Sequence, residues 1–500
     1  MFKGDLEQYR YTPACLVENY SYRHPFVDEW ALTNIGFDLQ PGESLAVFGE
    51  SGSGKTTLLS SLTGLNHHFY HGGEHKGSID LFGMRIADTD IFALARTYGL
   101  VTQDFRNQLL ANQVEGAIAF SLENRAIPHE QMHGRVQALL EQLHLTEVAT
   151  HEVSTLSGGQ GQRVVVASML AKEPRLMIFD DIASDLDPRG QDEIKQIITS
   201  LKRQGITMII VDSSDPLWLL DIADKALVLQ KGHKMYFGHP EGIRQNLTLA
   251  CEIGACIEPV RFREQSNSPV AISIENISFA YDGDFAVRNV TATIAEGSIT
   301  GIIGPNGSGK TTLLKILAGL YQPKVGEVSV DGIKPYSTPA DRTVRHVAYM
   351  PQSTIGIFFT DTVDKELAYT PHAINLPPAI TAQHIGLTGM DDKHPEFLSA
   401  GERQRLALGC ALSSDPKILL LDEPTKGLNQ KERLDLVGRL LGLQQQGKTI
   451  VIVSHDWPLI ARATNNVLVM DYGRLVRSGA TAEVMQDRDF FERIGLPLPW

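Results

Sequence analysis

Short, fully apolar runs punctuate this chain, and each ends at a glycine-rich turn or at an acid. Residues 299–303 read ITGII; a glycine-rich stretch, 304–309, follows, then TTLLKILAGL, whose apolar residues fall at helical spacing. A run this short and this apolar predicts a buried parallel strand, so the order is strand, turn, helix. SLAVF at 44–48 opens the same sequence of elements before GESGSGKTT. LMIFD, TMIIV, ILLLD and TIVIV read as further buried strands. Apolar strands alternating with helical segments predict the α/β class, with a mostly parallel sheet.

The pattern occurs twice. Lys55 and Lys310, in equivalent glycine-rich turns, are 255 residues apart. LSGGQ at Leu156 and LSAGE at Leu398 are 242 apart, as are Asp180 and Asp422, and Ser213 and His455. A constant offset over three landmarks predicts homologous halves in ungapped register there. The expected boundaries are 1–258 for the first domain, 259–270 for a polar linker, and 271–500 for the second.

Composition narrows the class. With 42% hydrophobic and 21% charged residues, the chain reads as globular. A net charge of −14 argues against a nucleic-acid scaffold, which needs a basic face. Cys15, Cys251, Cys256 and Cys410 are too scattered for a disulfide framework and read as ordinary thiols. MFKGDLEQYR has no apolar core, so no signal peptide is expected. No apolar stretch is long enough to span a bilayer, so at a membrane another chain would have to cross it.

Both turns carry the chemistry of a phosphate-binding P-loop. They are Gly49, Glu50, Ser51, Gly52, Ser53, Gly54, Lys55, Thr56 and Thr57, and Gly304, Pro305, Asn306, Gly307, Ser308, Gly309, Lys310, Thr311 and Thr312. Glycines let successive N–H groups turn toward an anion, and the helix N-terminus adds partial positive charge. Each lysine adds a full charge for the β- and γ-phosphates of ATP, and Thr56 and Thr311 offer hydroxyls to Mg²⁺.

P-loop, LSGGQ-type signature, apolar strand ending in acid, and following histidine strand come in an order that resembles the nucleotide-binding domains of ABC ATPases over nearly the whole chain. That resemblance implies tandem P-loop NTPase domains, each with a parallel core, an antiparallel β subdomain and a helical subdomain. It implies that Asp180 and Asp422 hold Mg²⁺, that Glu423 orients the attacking water, and that His455 contacts the γ-phosphate. Gln103 and Gln352 would touch the metal and the water. Tyr281 would stack on adenine. His24 aligns with it, and two readings stand open there: the same platform, or an exposed loop histidine. In the family's head-to-tail pairing, Ser157, Gly158, Gly159 and Gln160 complete the second half's site. Ser399, Ala400, Gly401 and Glu402 complete the first half's.

The halves differ where the chemistry would occur. Asp181 stands where the second half has Glu423, and Ser213 where it has His455. An aspartate is one methylene shorter, and serine is neutral. The expectation is one hydrolytic site and one that mainly holds ATP; the competing reading is that Asp181 works after a small backbone shift.

Three stretches resemble energy-coupling factor (ECF) importers, including the hydroxymethylpyrimidine/thiamine group. They are GLVTQDFRNQLLANQVEGAIAFSLEN, LNHHFYHGGEHKGSIDLFG and the similar tails of both halves. Asp104-Phe105 departs from the usual proline-containing turn. The resemblance implies a motor for uptake of a vitamin-like molecule or metal ion. Its partners would be an integral membrane coupling protein and a substrate-binding component, with no nucleic acid, at the cytoplasmic face. Docking is expected near 114–124 and 363–369, on helices that also pack inward. His67, His68, His71 and His75 read as a solvated loop, with a metal site as the competing reading. The alternatives in function are a tandem ABC ATPase acting on ribosomes or nucleic acid, and the fused motor of a sugar importer.

Overall fold

The structure of the chain is a computed structural model. It describes residues 12–500, apart from 51, 71, 126, 184–185, 187, 213–214, 254, 256–267, 282–283, 355, 374–379, 427, 429, 495 and 497–500. It divides into two compact units, Met1–Ile257 and Glu258–Trp500. Most of the expected linker, with Ser51, Ser213, His71 and Cys256, lies outside the described residues.

In the first unit, five strands run in the order Tyr98–Thr102, Leu176–Asp180, Thr207–Val211, Ser44–Phe48, Lys225–Gln230. Their pairings are all parallel. In the second unit the order is Val347–Met350, Ile418–Asp422, Thr449–Val453, Ile299–Ile303, Asn466–Asp471, again parallel. The crossovers are helical, and helices on the faces explain the apolar runs. Ser44–Phe48, Ile418–Asp422 and Thr449–Val453 are buried at every position. Each such Val, Ile or Leu contributes about 1.5–3 kcal/mol relative to exposure.

Each unit also has an antiparallel layer. Cys15–Arg23 pairs with Leu32–Leu39 and Glu74–Leu81 in the first, and Val270–Tyr281 with Asp284–Ala295 and Val325–Val330 in the second. In the first unit this layer joins the parallel strands through one pairing, His233 with Thr33, giving a ten-stranded sheet among the described residues. In the second unit the layer is a separate three-stranded sheet beside a six-stranded one.

The histidine-rich segment packs against the antiparallel layer. His67 sits edge-on to His75 at 4.4 Å, and its Nε2 lies 3.4 Å from the Tyr20 hydroxyl. Among the described residues, no group of three His, Cys, Asp or Glu side chains is placed to hold a metal. Burial first, then the neighbouring His75 and His68, push the His67 pKa down to about 4. The unfolded chain therefore binds a proton at higher pH than the folded chain does. The resulting stability is complete above about pH 6.5 and is lost as pH falls toward 4. Urea midpoints of the wild type should drop between pH 7 and 5 by more than those of His67→Gln.

Candidate functional site

Strands Ser44–Phe48 and Ile299–Ile303 deliver each P-loop to the helices Lys55–Leu62 and Lys310–Leu317. Neither helix has a side-chain cap, so its first N–H groups stay available to an anion. Gly309 caps its helix at φ 93°, and a Cβ there would stand 2.2 Å from the Ala286 carbonyl oxygen. Gly304 is equally enclosed, with the Met470 carbonyl 2.1 Å from any Cβ. Lys310 Nζ donates to the carbonyls of Gly304 and Pro305, both at 2.8 Å. Lys55 does the same to Gly49 and Glu50, at 2.6 and 2.9 Å. The ammonium thus closes its own loop from within.

The site residues fit ATP and Mg²⁺. Ser53 Oγ and Ser308 Oγ, in equivalent turns of the loops, are buried with no hydrogen-bond partner among the described residues. Asp422, at a strand end, accepts from Thr311 Oγ1 at 3.2 Å and from the Tyr349 hydroxyl at 3.2 Å. Burial, then the adjacent Glu423, raise its pKa against those two bonds and Lys310. Asp180 is pushed up to about 6 by burial and Asp181, with Lys55 pulling it back. Strand-end aspartates raised in this way would be relieved by a divalent cation. Thr56 sits at the equivalent helix start in the first unit.

The acids after the strands share a backbone geometry. Glu423 has φ 49° and Asp181 φ 55°, both left-handed. Each donates its N–H to the neighbouring strand end at 2.8 Å, to Val453 and Val211 respectively. A non-glycine residue held there stores strain and aims the side chain away from the strand axis. Glu423 is buried and its Oε1 lies 3.0 Å from His455 Nδ1. Burial alone would raise the Glu423 pKa, but the charge and hydrogen bond of His455 outweigh it and hold it below the usual value. Burial would lower His455; Glu423 outweighs that and raises it.

His24 and Tyr281 take matching places. His24 Nε2 lies 3.2 Å from Thr57 Oγ1, and the Tyr281 hydroxyl 3.3 Å from Thr312 Oγ1. Each packs edge-on against a tyrosine, Tyr22 at 5.0 Å and Tyr321 at 5.7 Å. His24 is thus tied to the P-loop helix rather than free in a loop.

The signatures open the helices Gly158–Ala171 and Ala400–Leu412. Ser157 with Gln160, and Ser399 with Glu402, form reciprocal capping boxes. The Gln160 side chain accepts the Ser157 N–H at 3.0 Å and Glu402 accepts that of Ser399 at 2.7 Å. Gly159 and Gly401 lie in those first turns.

Gln103 directly follows an edge strand of its parallel sheet, and Gln352 follows another after Pro351. Gln162 of the first signature helix donates to the carbonyl of Gln103 at 2.6 Å, and Gln352 is exposed. Asp104 makes the turn where the ECF pattern has proline. Its carboxylate accepts from Arg106 N–H at 3.1 Å and Asn107 Nδ2 at 3.0 Å. Beyond each glutamine an apolar pair is exposed: Leu110 and Phe120 in the first unit, Phe359 and Tyr369 in the second. The positions correspond at an offset of 249. Phe359 stacks on Tyr369 at 5.5 Å, on a loop that Glu366 holds by accepting from Phe359 N, Thr360 N and Thr360 Oγ1 at 2.8–2.9 Å.

Sequence reasoning missed Tyr349 and Ser454. Tyr349 lies three residues before Gln352 and had no signal of its own. Ser454 sits beside His455 in the register that was read, but only the imidazole was weighed.

Comparison with known proteins accords with this geometry. The model of the family "ABC transporter" matches residues 32–184 and 287–426. A "Putative ABC transporter ATP-binding protein" of Methanosarcina acetivorans is 32% identical over 480 residues, 93% of this chain and 90% of that protein. The "Putative HMP/thiamine import ATP-binding protein YkoD" of Bacillus subtilis is 30% identical over 525 residues, 97% of this chain and 94% of that one. A structure of ribosome-bound archaeal Pelota and ABCE1 superposes with TM-score 0.66 at 22% identity, over 96% of this chain and 80% of that one; it shows the fold. With P-loop, strand-end acid and signature helix in each of its two units, the chain belongs to the ABC transporter family, as an ATP-hydrolysing protein with fused ATPase domains.

Proposed function

We propose that this protein is the motor of an ABC importer of the ECF type. It would couple ATP hydrolysis to uptake of a vitamin-like small molecule or metal ion through separate membrane subunits. Among the described residues, no helix is long and apolar enough to cross a membrane. Mg²⁺ would lie among Thr311, Asp422 and Gln352, and supply charge neutralisation to the phosphates. Lys310 and the loop N–H groups would bind and orient the phosphates, and Glu423 would align the water. In the first half, Thr56, Gln103 and Asp180 would hold the metal, while Asp181 and Ser213 would leave nucleotide bound with little turnover.

The observation that carries the transporter reading is the exposed apolar pair repeated at the same distance along the chain beyond each glutamine. The helix Val114–Glu123 buries Val114, Ala117, Ile118, Ser121 and Leu122 on one face and exposes Phe120 on the other. Packing and docking thus fall to different faces. A cytoplasmic helix of a membrane subunit would cover the exposed pairs and place the protein at the inner face of the membrane. The YkoD name, an import ATP-binding protein, supports the ECF assignment.

Changing Leu110, Phe120, Phe359 and Tyr369 together to serine should abolish copurification with integral membrane proteins. ATP hydrolysis by the purified chain should stay within about twofold, because exposed substitutions cost little stability. Retained membrane partners would refute the docking assignment. Salt-sensitive ribosome association without membrane partners would favour the ribosomal class instead.

A further inference from the structure

The two carboxylate oxygens of Glu423 meet different partners. Oε1 faces His455 Nδ1 at 3.0 Å. Oε2 accepts the Ser454 hydroxyl at 3.2 Å and the His455 backbone N–H at 3.3 Å. Ser454 is wholly buried, and its oxygen accepts the Asp456 N–H at 3.1 Å. With that direction taken by a donor, the single hydroxyl proton is left for Glu423. Asp456 is itself fixed. Its carboxylate accepts the Leu459 N–H at 2.9 Å, capping the helix Trp457–Ala463, and lies 3.4 Å from Arg433.

We propose that Ser454 is a positioning residue for ATP hydrolysis: it tethers Oε2 of Glu423, so that Oε1 is the oxygen presented to the reacting water once His455 engages the nucleotide. The inference rests on the proposed role of Glu423. A carboxylate held at one oxygen loses rotation about its last bond, and a free one samples unproductive orientations. The repeat supplies a comparison within the chain. The offset of 242 places Asp212 where the second half has Ser454. Asp212 is buried, and it carries a carboxyl group where the second half has a hydroxyl. The first half therefore differs from the second in sequence at three aligned positions: Asp181 for Glu423, Asp212 for Ser454 and Ser213 for His455.

The test compares Ser454→Ala, Ser454→Cys and Ser454→Thr in the full chain. Its readouts are kcat and KM for ATP, equilibrium ATP binding and thermal melting. Loss of one hydrogen bond to a charged group predicts a roughly ten- to hundredfold fall in kcat for alanine. Cysteine, a weaker donor of similar volume, should also fall, and decides the matter if the alanine variant unfolds. Threonine keeps the hydroxyl and should restore kcat to within about twofold. ATP affinity should not change in any of them. Wild-type kcat in the cysteine variant overturns the tether, as does a threonine variant as slow as alanine with a normal melt. Glu423→Gln separates the failures. If it turns over normally, the role of Glu423 itself is wrong; if it is inactive while Ser454→Cys is normal, only the tether is.

Discussion

Glu423→Gln should lower steady-state ATP hydrolysis by about 10²- to 10⁴-fold, whereas Asp181→Asn should leave most of it. Glutamine keeps the length and the left-handed backbone position but removes the charge that Ser454 and His455 share and that would align the water. The change is nearly isosteric, so ATP binding should survive and the loss should fall on kcat. The first-half substitution removes a carboxylate that is a methylene shorter and whose register partner for imidazole is Ser213. Steady-state turnover of the two variants, measured at saturating ATP, decides it. Equal losses would show that both halves turn over and would end the unequal-site proposal.

Gly309→Ala should abolish ATP binding at the second P-loop, while Gly307→Ala should weaken it only modestly. Both glycines have left-handed φ, 93° and 78°. That conformation alone costs an alanine roughly 1–2 kcal/mol. The environments then separate them. A Cβ on Gly307 meets nothing within 4 Å, while one on Gly309 stands 2.2 Å from the Ala286 carbonyl. That oxygen belongs to the strand Asp284–Ala295 and cannot move without disturbing the antiparallel layer. The alanine must instead push the helix start away, which spoils the N–H groups that face the phosphates. Nucleotide titrations of the two variants, each with Lys55→Ala to silence the first half, would expose the difference. Similar affinities would mean that the loop adapts more freely than its packing indicates.

The parallel core was legible because its strands are buried on both faces, which leaves unbroken apolar runs such as ILLLD and TIVIV. The P-loops were legible because glycine, lysine and threonine have few other uses at that spacing. The pairing of His24 with Tyr281 was read from register alone, and the two contacts to Thr57 and Thr312 give it a geometric basis. Hydrogen bonds across the fold left no such trace. Tyr349 reaches Asp422 from another strand, and Glu366 gathers three donors from a preceding loop. Tyrosine in a strand and glutamate in a helix are ordinary at those positions, so only three-dimensional proximity gives them meaning. Asp104 misled in the opposite way: it breaks a motif, yet builds the turn by a different route.

The left-handed kink shared by Asp181 and Glu423 has a practical consequence. Since both halves bend the main chain alike at that point, the difference between Asp181 and Glu423 there lies in side-chain length. Glutamate at 181 would start from the same bend as Glu423, so a single codon would give the first half the longer reach without altering the main chain there.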